Sequence, residues 1–206
     1  MSKYEKMPIG AFDKMTYGAG IILANFSPET GAVKAEDILY ATKGGNAFSA
    51  TRDITDMGTD IDNCPEGVMQ LQKTKPYQAN ISGTAVTLDA EGTKDLLANA
   101  GVSGDAVKKI TPRDCFEMND FKDKWLVVNY SGDNAEETGG FIAFHLMNAI
   151  NIDGMSANFA KEKNGEFPYN FKAFYDLDDL GAVPFEVYVK AGTAEGATGA
   201  TGATGA

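Results

Sequence analysis

The sequence predicts a mainly β protein: an antiparallel β-sandwich flanked by one α-helix, with a long inter-strand loop. Two observations carry this. Several short segments alternate apolar and polar residues with period two, which marks strands with one buried and one wet face. Only one segment has helical spacing with caps, and it sits between strands rather than alternating with them, which argues against βα units. The 206 residues suffice for one substantial core.

Taken in order, Gly20 to Phe26 is a short apolar strand closed by the turn Ser27-Pro28-Glu29-Thr30-Gly31. Ile38 to Ala41 is a second candidate. From residue 42 to 67 the pattern breaks down into Gly, Asp and Asn with scattered apolar residues, although Asn46 to Ile54 retains strand character. Loops of this length in a compact domain are usually functional or disordered. Val68 to Lys73 and Tyr77 to Leu88 are further strands. Asp89 to Ala100 reads as the helix, with Asp89 as N-cap, Leu96, Leu97 and Ala100 as its apolar stripe and Gly101 as its stop. A short helical piece is expected at Asp105 to Ile110.

Strands then return at Lys124 to Ser131, which holds the only tryptophan, Trp125, and at Phe141 to Ile150. The second is apolar on both faces, as a central strand would be. Between them lies an acidic turn region, residues 131 to 140. Asn151 to Lys163 continues as a strand candidate. Glu166 to Lys190 reads as two strands of one antiparallel hairpin around the acidic turn Asp176 to Asp179. Phe167, Tyr169, Phe171, Ala173 and Tyr175 share one face of its first strand; Phe185, Val187 and Val189 share one face of its second. Gly196 to Ala206 is a Gly-Ala-Thr repeat without proline, too short for a collagen helix, and is expected to be a disordered tail (residues 192–206) beyond a domain spanning 1–191.

Composition narrows function. With 18 basic and 29 acidic residues the net charge is −11, which disfavours nucleic-acid binding. Two cysteines, Cys64 and Cys115, are too few for a disulfide scaffold, though they could pair. The N-terminus shows no apolar signal core and no run approaches the roughly 20 residues that span a bilayer, so a cytoplasmic product without membrane contact is expected.

No phosphate-binding GxxxxGK[ST] loop is present. Gly18-Ala-Gly20 lacks the rest of a dinucleotide fingerprint, and Gly101-Val-Ser103-Gly104-Asp105 misses the last glycine of a nucleophile elbow. His145, the only histidine, lies mid-strand without a local Cys or Asp partner, which fits a sheet histidine better than a catalytic base. Asp53, Asp56, Asp60 and Asp62 form an acidic run without the order of a calcium loop. No catalytic residue, cofactor or metal site is assigned, and an enzyme is not the expected reading.

The arrangement of arm, strands, long loop, single helix and closing segment resembles the major tail protein, or tail tube protein, of long-tailed bacteriophages. The residues that carry the resemblance are Gly165-Glu166-Phe167-Pro168-Tyr169-Asn170-Phe171 and Val183-Pro184-Phe185-Glu186-Val187-Tyr188. The resemblance implies a virion protein, made in the host cytoplasm, whose partner is itself: six copies form a ring, and rings stack into a tube. Tape measure, tail chaperone, tail terminator and distal tail proteins would be further partners. Double-stranded DNA would pass through without specific binding.

At −11 per chain a ring would carry on the order of sixty negative charges before screening, and an acidic lumen would repel phosphates. In this reading residues 42–67, with Asp53, Asp56, Asp60 and Asp62, stack one ring on the next. Asn170, Lys172, Glu186, Tyr188 and Lys190, on the wet face of the closing hairpin, are subunit-contact or lumen positions. The Gly-Ala-Thr tail lies outside the tube. Another virion or surface β-sandwich module, for decoration or adhesion, is the alternative; an enzyme on a β scaffold is the third reading.

Overall fold

The computed structural model describes residues 15–16, 18–130 and 140–190. The N-terminal arm, most of the acidic turn at 131–140 and the Gly-Ala-Thr repeat therefore lie outside the described residues. The expected class holds: among the described residues antiparallel strands dominate and one α-helix joins them.

The strands are β1 (Ile21–Leu23), β2 (Ala47–Thr51), β3 (Ile54–Asp56), β4 (Gln72–Thr74), β5 (Gln78–Ala85), β6 (Ala100–Ser103), β7 (Lys109–Pro112), β8 (Lys122–Asn129), β9 (Phe141–Asn151), β10 (Phe167–Lys172) and β11 (Phe185–Lys190). Helix α1 is Ala90–Leu97. One sheet has seven strands: six follow the path β1-β8-β9-β10-β5-β2, and β11 joins it on β9; β3-β4 and β6-β7 are separate pairs.

The path folds into two layers at β9, the strand whose two apolar faces were legible in the sequence. Its first part, Phe141 to Leu146, pairs with β11, and its end, Ile150 and Asn151, pairs with β10. The handover has a local cause. Asn148 takes a positive φ of 49°, which asparagine tolerates better than most residues, and β8 carries a bulge between Lys122 and Lys124 opposite it. The bulged Asp123 accepts the Asn148 amide at 3.1 Å.

Between the layers lies the main core: Ile22, Leu126 and Leu146 face Ile81, Tyr169 and Phe171, and Leu96 of α1 closes one end. Phe48 stacks on Phe144 across the layers at 4.4 Å. A second cluster, Leu23, Trp125, Val127, Phe141 and Ala143 under Phe26, covers the opposite face of β8 and β9. One side of the sandwich is seamed by a side chain rather than a ladder. Asn46, just before β2, donates its amide and side-chain NH₂ to Ala19 O (3.2 and 3.1 Å) and its NH₂ to Gly20 O (3.2 Å), while its Oδ1 accepts the Tyr169 hydroxyl at 2.6 Å.

Several expectations are corrected. The closing segment is not a hairpin: β10 and β11 do not pair with each other, and each joins β9 on a different stretch. The strand character read at Asn46 to Ile54 is realised as β2 in the main sheet, so the 42–67 loop splits, and its β3 opens a separate hairpin with β4. The segment Ile38 to Ala41 contributes only an isolated bridge from Ile38 to Leu23, and Val68 to Lys73 begins as a 3₁₀ turn, Met69–Leu71. Helix α1 starts where expected, with Asp89 Oδ1 accepting the Gly92 amide at 2.6 Å, but stops early. Ala98 adopts the left-handed φ of 69°, and Gly101 instead enters β6 opposite Thr111. The helical piece expected at Asp105 to Ile110 is the β6–β7 turn and the start of β7. Asn151 to Lys163 leaves β9 as irregular chain with one bridge, Asn158 to Glu166.

Tyr40 and Tyr169, 3% and 2% exposed, have phenols pushed well above the ordinary tyrosine range, chiefly by burial. A raised folded pKa contributes stability that is complete below the unfolded pKa of about 10 and is lost as pH rises above it. We expect alkaline unfolding to begin above about pH 10, each buried tyrosine costing about 1.4 kcal/mol per pH unit. Absorbance at 295 nm should show two of the eight tyrosines ionising only together with loss of the near-UV circular dichroism. Ionisation of all eight before unfolding would contradict this.

Candidate assembly surfaces

Among the described residues the hairpin of β3 and β4 pairs only with itself, and it carries the loop 57–71 between its strands. Asp56 organises it: its two carboxylate oxygens accept the amides of Gly58 and Gly67, each at 2.8 Å, so the two ends of the loop are tied together. These bonds, Gly67 first and then Gly58, with a further one from the Gln72 side chain, hold its carboxyl below the usual aspartate range. Asp53 lies 3.8 Å from Lys75, and Asp60 and Asp62 are exposed. Thus the acidic run divides into one aspartate that shapes the loop, one loosely paired and two at its surface. The apolar side chains are more telling: Ile54, Met57, Ile61 and Met69 are 65%, 55%, 49% and 78% exposed on this hairpin.

Asn170 and Lys172 lie on the outer face of the β10-β5-β2 layer. Asn170 accepts from Asn80 at 3.2 Å and Lys172 donates to Gln78 at 3.4 Å. The strand register places Ser82, Thr84, Ser49 and Thr51 on the same face, so Lys172 is the one charged side chain these strands present there. This wall is a polar ladder, not an acidic one. Carboxylates gather elsewhere, notably Glu36, Asp89, Glu91, Asp95 and Asp123 around a cleft of about 580 Å³.

Glu186, Tyr188 and Lys190 lie on a different surface, the outer face of β11 and β9. The Tyr188 hydroxyl donates to Glu186, which raises the phenol's pKa. The Tyr188 ring sits 5.6 Å from Trp125, and Lys190 Nζ is 5.9 Å above the Phe141 ring. The five positions expected on one hairpin face therefore belong to two surfaces on two layers. Val187 and Val189, which point to the inner side of β11, are 46% and 64% exposed, and among the described residues β11 pairs on one edge only. An edge strand with uncovered apolar residues is a site for association.

At the floor of the acidic cleft is a residue pair that sequence reasoning missed. Lys124, 2% exposed, donates to Asp95 Oδ2 at 2.6 Å and sits 5.1 Å above the Phe171 ring; Lys122 approaches Asp95 at 3.6 Å. Burial pushes the Lys124 ammonium below the ordinary lysine range, and Asp95 opposes that. The available signal was period two: Lys124 falls in phase with Leu126 and Val128, both on the core side. Asn151 was also missed. It donates to Leu96 O (2.8 Å) and Gly154 O (2.7 Å) and accepts the Asn170 amide (2.8 Å), holding the end of α1 to β9 and β10.

Among the described residues no group of three or more His, Cys, Asp or Glu side chains is placed to hold a metal, and Cys64 and Cys115 are free thiols. His145 stacks on Trp125 with ring centres 3.8 Å apart and an interplanar angle of 7°, and lies 3.1 Å from Asp123.

These features define an antiparallel β-sandwich protein with one docked helix, a separate apolar-tipped hairpin and open strand edges. No protein-family model and no curated protein matches the sequence.

Proposed function

We propose that this protein is a self-assembling virion component, a tail tube protein whose rings stack into the conduit for genome delivery. The observation that carries the reading is the β3–β4 hairpin. Among the described residues it pairs with no strand of the sandwich, and it exposes four large apolar side chains, Ile54, Met57, Ile61 and Met69. Exposed apolar side chains also occur elsewhere, at Val107, Met118, Phe159 and Leu177 among others, but these four share one excursion that stands apart from the sandwich, which suits a surface covered in an assembly. The open edge of β11, with Val187 and Val189 uncovered, supplies a second contact suited to joining neighbours within a ring. The resemblance of residues 165–171 and 183–188 to tail tube proteins supports the same reading.

In this reading the hairpin stacks ring on ring, and its reach is residues 52–77 rather than 42–67. The polar ladder of Asn80, Asn170 and Gln78 is a surface along which DNA can move without strong attraction, since it offers one cation, Lys172, per chain.

Negative-stain microscopy of the purified protein tests the reading. Rings or tubes of uniform bore are expected, and replacing Ile54, Met57, Ile61 and Met69 together by serine should leave a folded protein that no longer forms tubes. A strictly monomeric wild type at high concentration, or unchanged tubes in the variant, would contradict it. A monomer that binds a cell-surface ligand would instead favour a decoration or adhesion module.

A further inference from the structure

We propose that His145 is a pH-operated clamp that fastens the edge strand β11 to the middle of the sandwich when its imidazole is protonated. The proposal does not depend on the tube reading.

The geometry spans three strands. His145 on β9 is 9% exposed and lies flat against Trp125 of β8. Its Nε2 is 3.1 Å from Asp123 Oδ2, on the bulge of β8. Its Nδ1 is 3.8 Å from Glu186 Oε2, on β11. That Nδ1 is buried and has no hydrogen-bond partner among the described residues. Glu186 and His145 are direct partners in the β11–β9 register, so the two side chains share one face.

A neutral imidazole carries one N–H and one bare nitrogen. With the N–H given to Asp123, the bare Nδ1 faces a carboxylate oxygen, and neither group can donate. A proton taken from solvent onto Nδ1 converts this contact into a charge-assisted hydrogen bond to Glu186, while Nε2–H keeps Asp123. Glu186 can close the distance because its side chain is 46% exposed. The ionisable groups facing the ring are Asp123 from β8 and Glu186 from β11, with the Tyr188 phenol bonded to Glu186; the stacked Trp125 does not ionise.

The sign follows from linkage. Glu186 meets the ring only when β11 is docked, so a proton on Nδ1 favours docking and its loss favours release.

His145 is the only histidine, so its ring signals identify themselves in a nitrogen-15 spectrum. Between pH 8 and pH 5.5 both ring nitrogens should become protonated and retain slowly exchanging protons. Amide exchange in β11, corrected for its intrinsic pH dependence, should slow about ten-fold, the size expected for one hydrogen bond to a charged group. In Glu186→Ala, at an exposed position, the slowing should vanish while the Nε2 proton persists. A wild-type ring that stays neutral to pH 5.5, or equal slowing in wild type and Glu186→Ala, overturns the proposal.

Discussion

Asp95→Asn should cost about 3 to 5 kcal/mol, a large share of a typical domain's stability of 5 to 15 kcal/mol. The substitution keeps the shape of the side chain and removes the charge that Lys124 was buried against. Lys124 Nζ would then sit 2% exposed above Phe171 with an amide oxygen as its remaining partner. Coulomb attraction no longer offsets desolvation, so the ammonium is either held at high cost or loses its proton.

Two measurements separate this from loss of helix packing. The first is pH. A lysine whose folded pKa lies below its unfolded value is penalised most below the folded pKa, and the penalty fades as pH rises toward about 10.4. The deficit of Asp95→Asn relative to wild type, read by urea unfolding, should shrink between pH 7 and pH 9.5. The second is the double variant Asp95→Asn/Lys124→Met, which should recover most of the loss because no buried charge remains. A deficit constant with pH and unrelieved by Lys124→Met would show that the pair is incidental.

Gly83→Ala should destabilise by about 3 kcal/mol, combining overpacking of about 1 to 3 kcal/mol with loss of a buried hydrogen bond of similar size. A Cβ at Gly83 would overlap Asn46 Oδ1 and come within 2.6 Å of the Tyr169 hydroxyl. These two atoms bond to each other at 2.6 Å and form the seam that ties β2 to β10 and to the chain entering β1. Neither can move cheaply: Tyr169 is 2% exposed and in tilted ring contact with Tyr40 and Phe171 at 5.7 and 5.3 Å, and Asn46 holds two carbonyls at once. Thermal unfolding and amide exchange at Asn46 check it. A variant as stable as wild type, with the Asn46 amide still protected, would mean that the seam is not needed.

Each misreading has a physical cause. Alternation in Glu166 to Lys190 states which side chains share a face, and Tyr169, Phe171 and Ala173 are indeed buried together. It says nothing about which strand lies alongside. Twelve residues separate β10 from β11, enough chain for each to find a separate stretch of β9.

In the long loop the strand character of Asn46 to Ile54 was legible, but its neighbour was not: the ladder to β5 and the stack of Phe48 on Phe144 place β2 in the main sheet. The end of α1 was misplaced because Gly101 is a good stop in isolation. Pairing of Ala100 and Gly101 with Pro112 and Thr111 draws the chain out of the helix earlier, at Ala98.

Local pattern determined the fold class, the helix and its Asp89 cap, and the both-sided burial of β9, because each depends on spacing between near neighbours and on the side chains' preference for or against water. The partners were decided only by tertiary structure. Asp95 meets Lys124, Asp123 and Glu186 meet His145, and Asn46 meets Tyr169 across 123 residues of chain. A buried polar group must find a partner, but which one it finds depends on how distant segments pack, and no spacing along the chain encodes that.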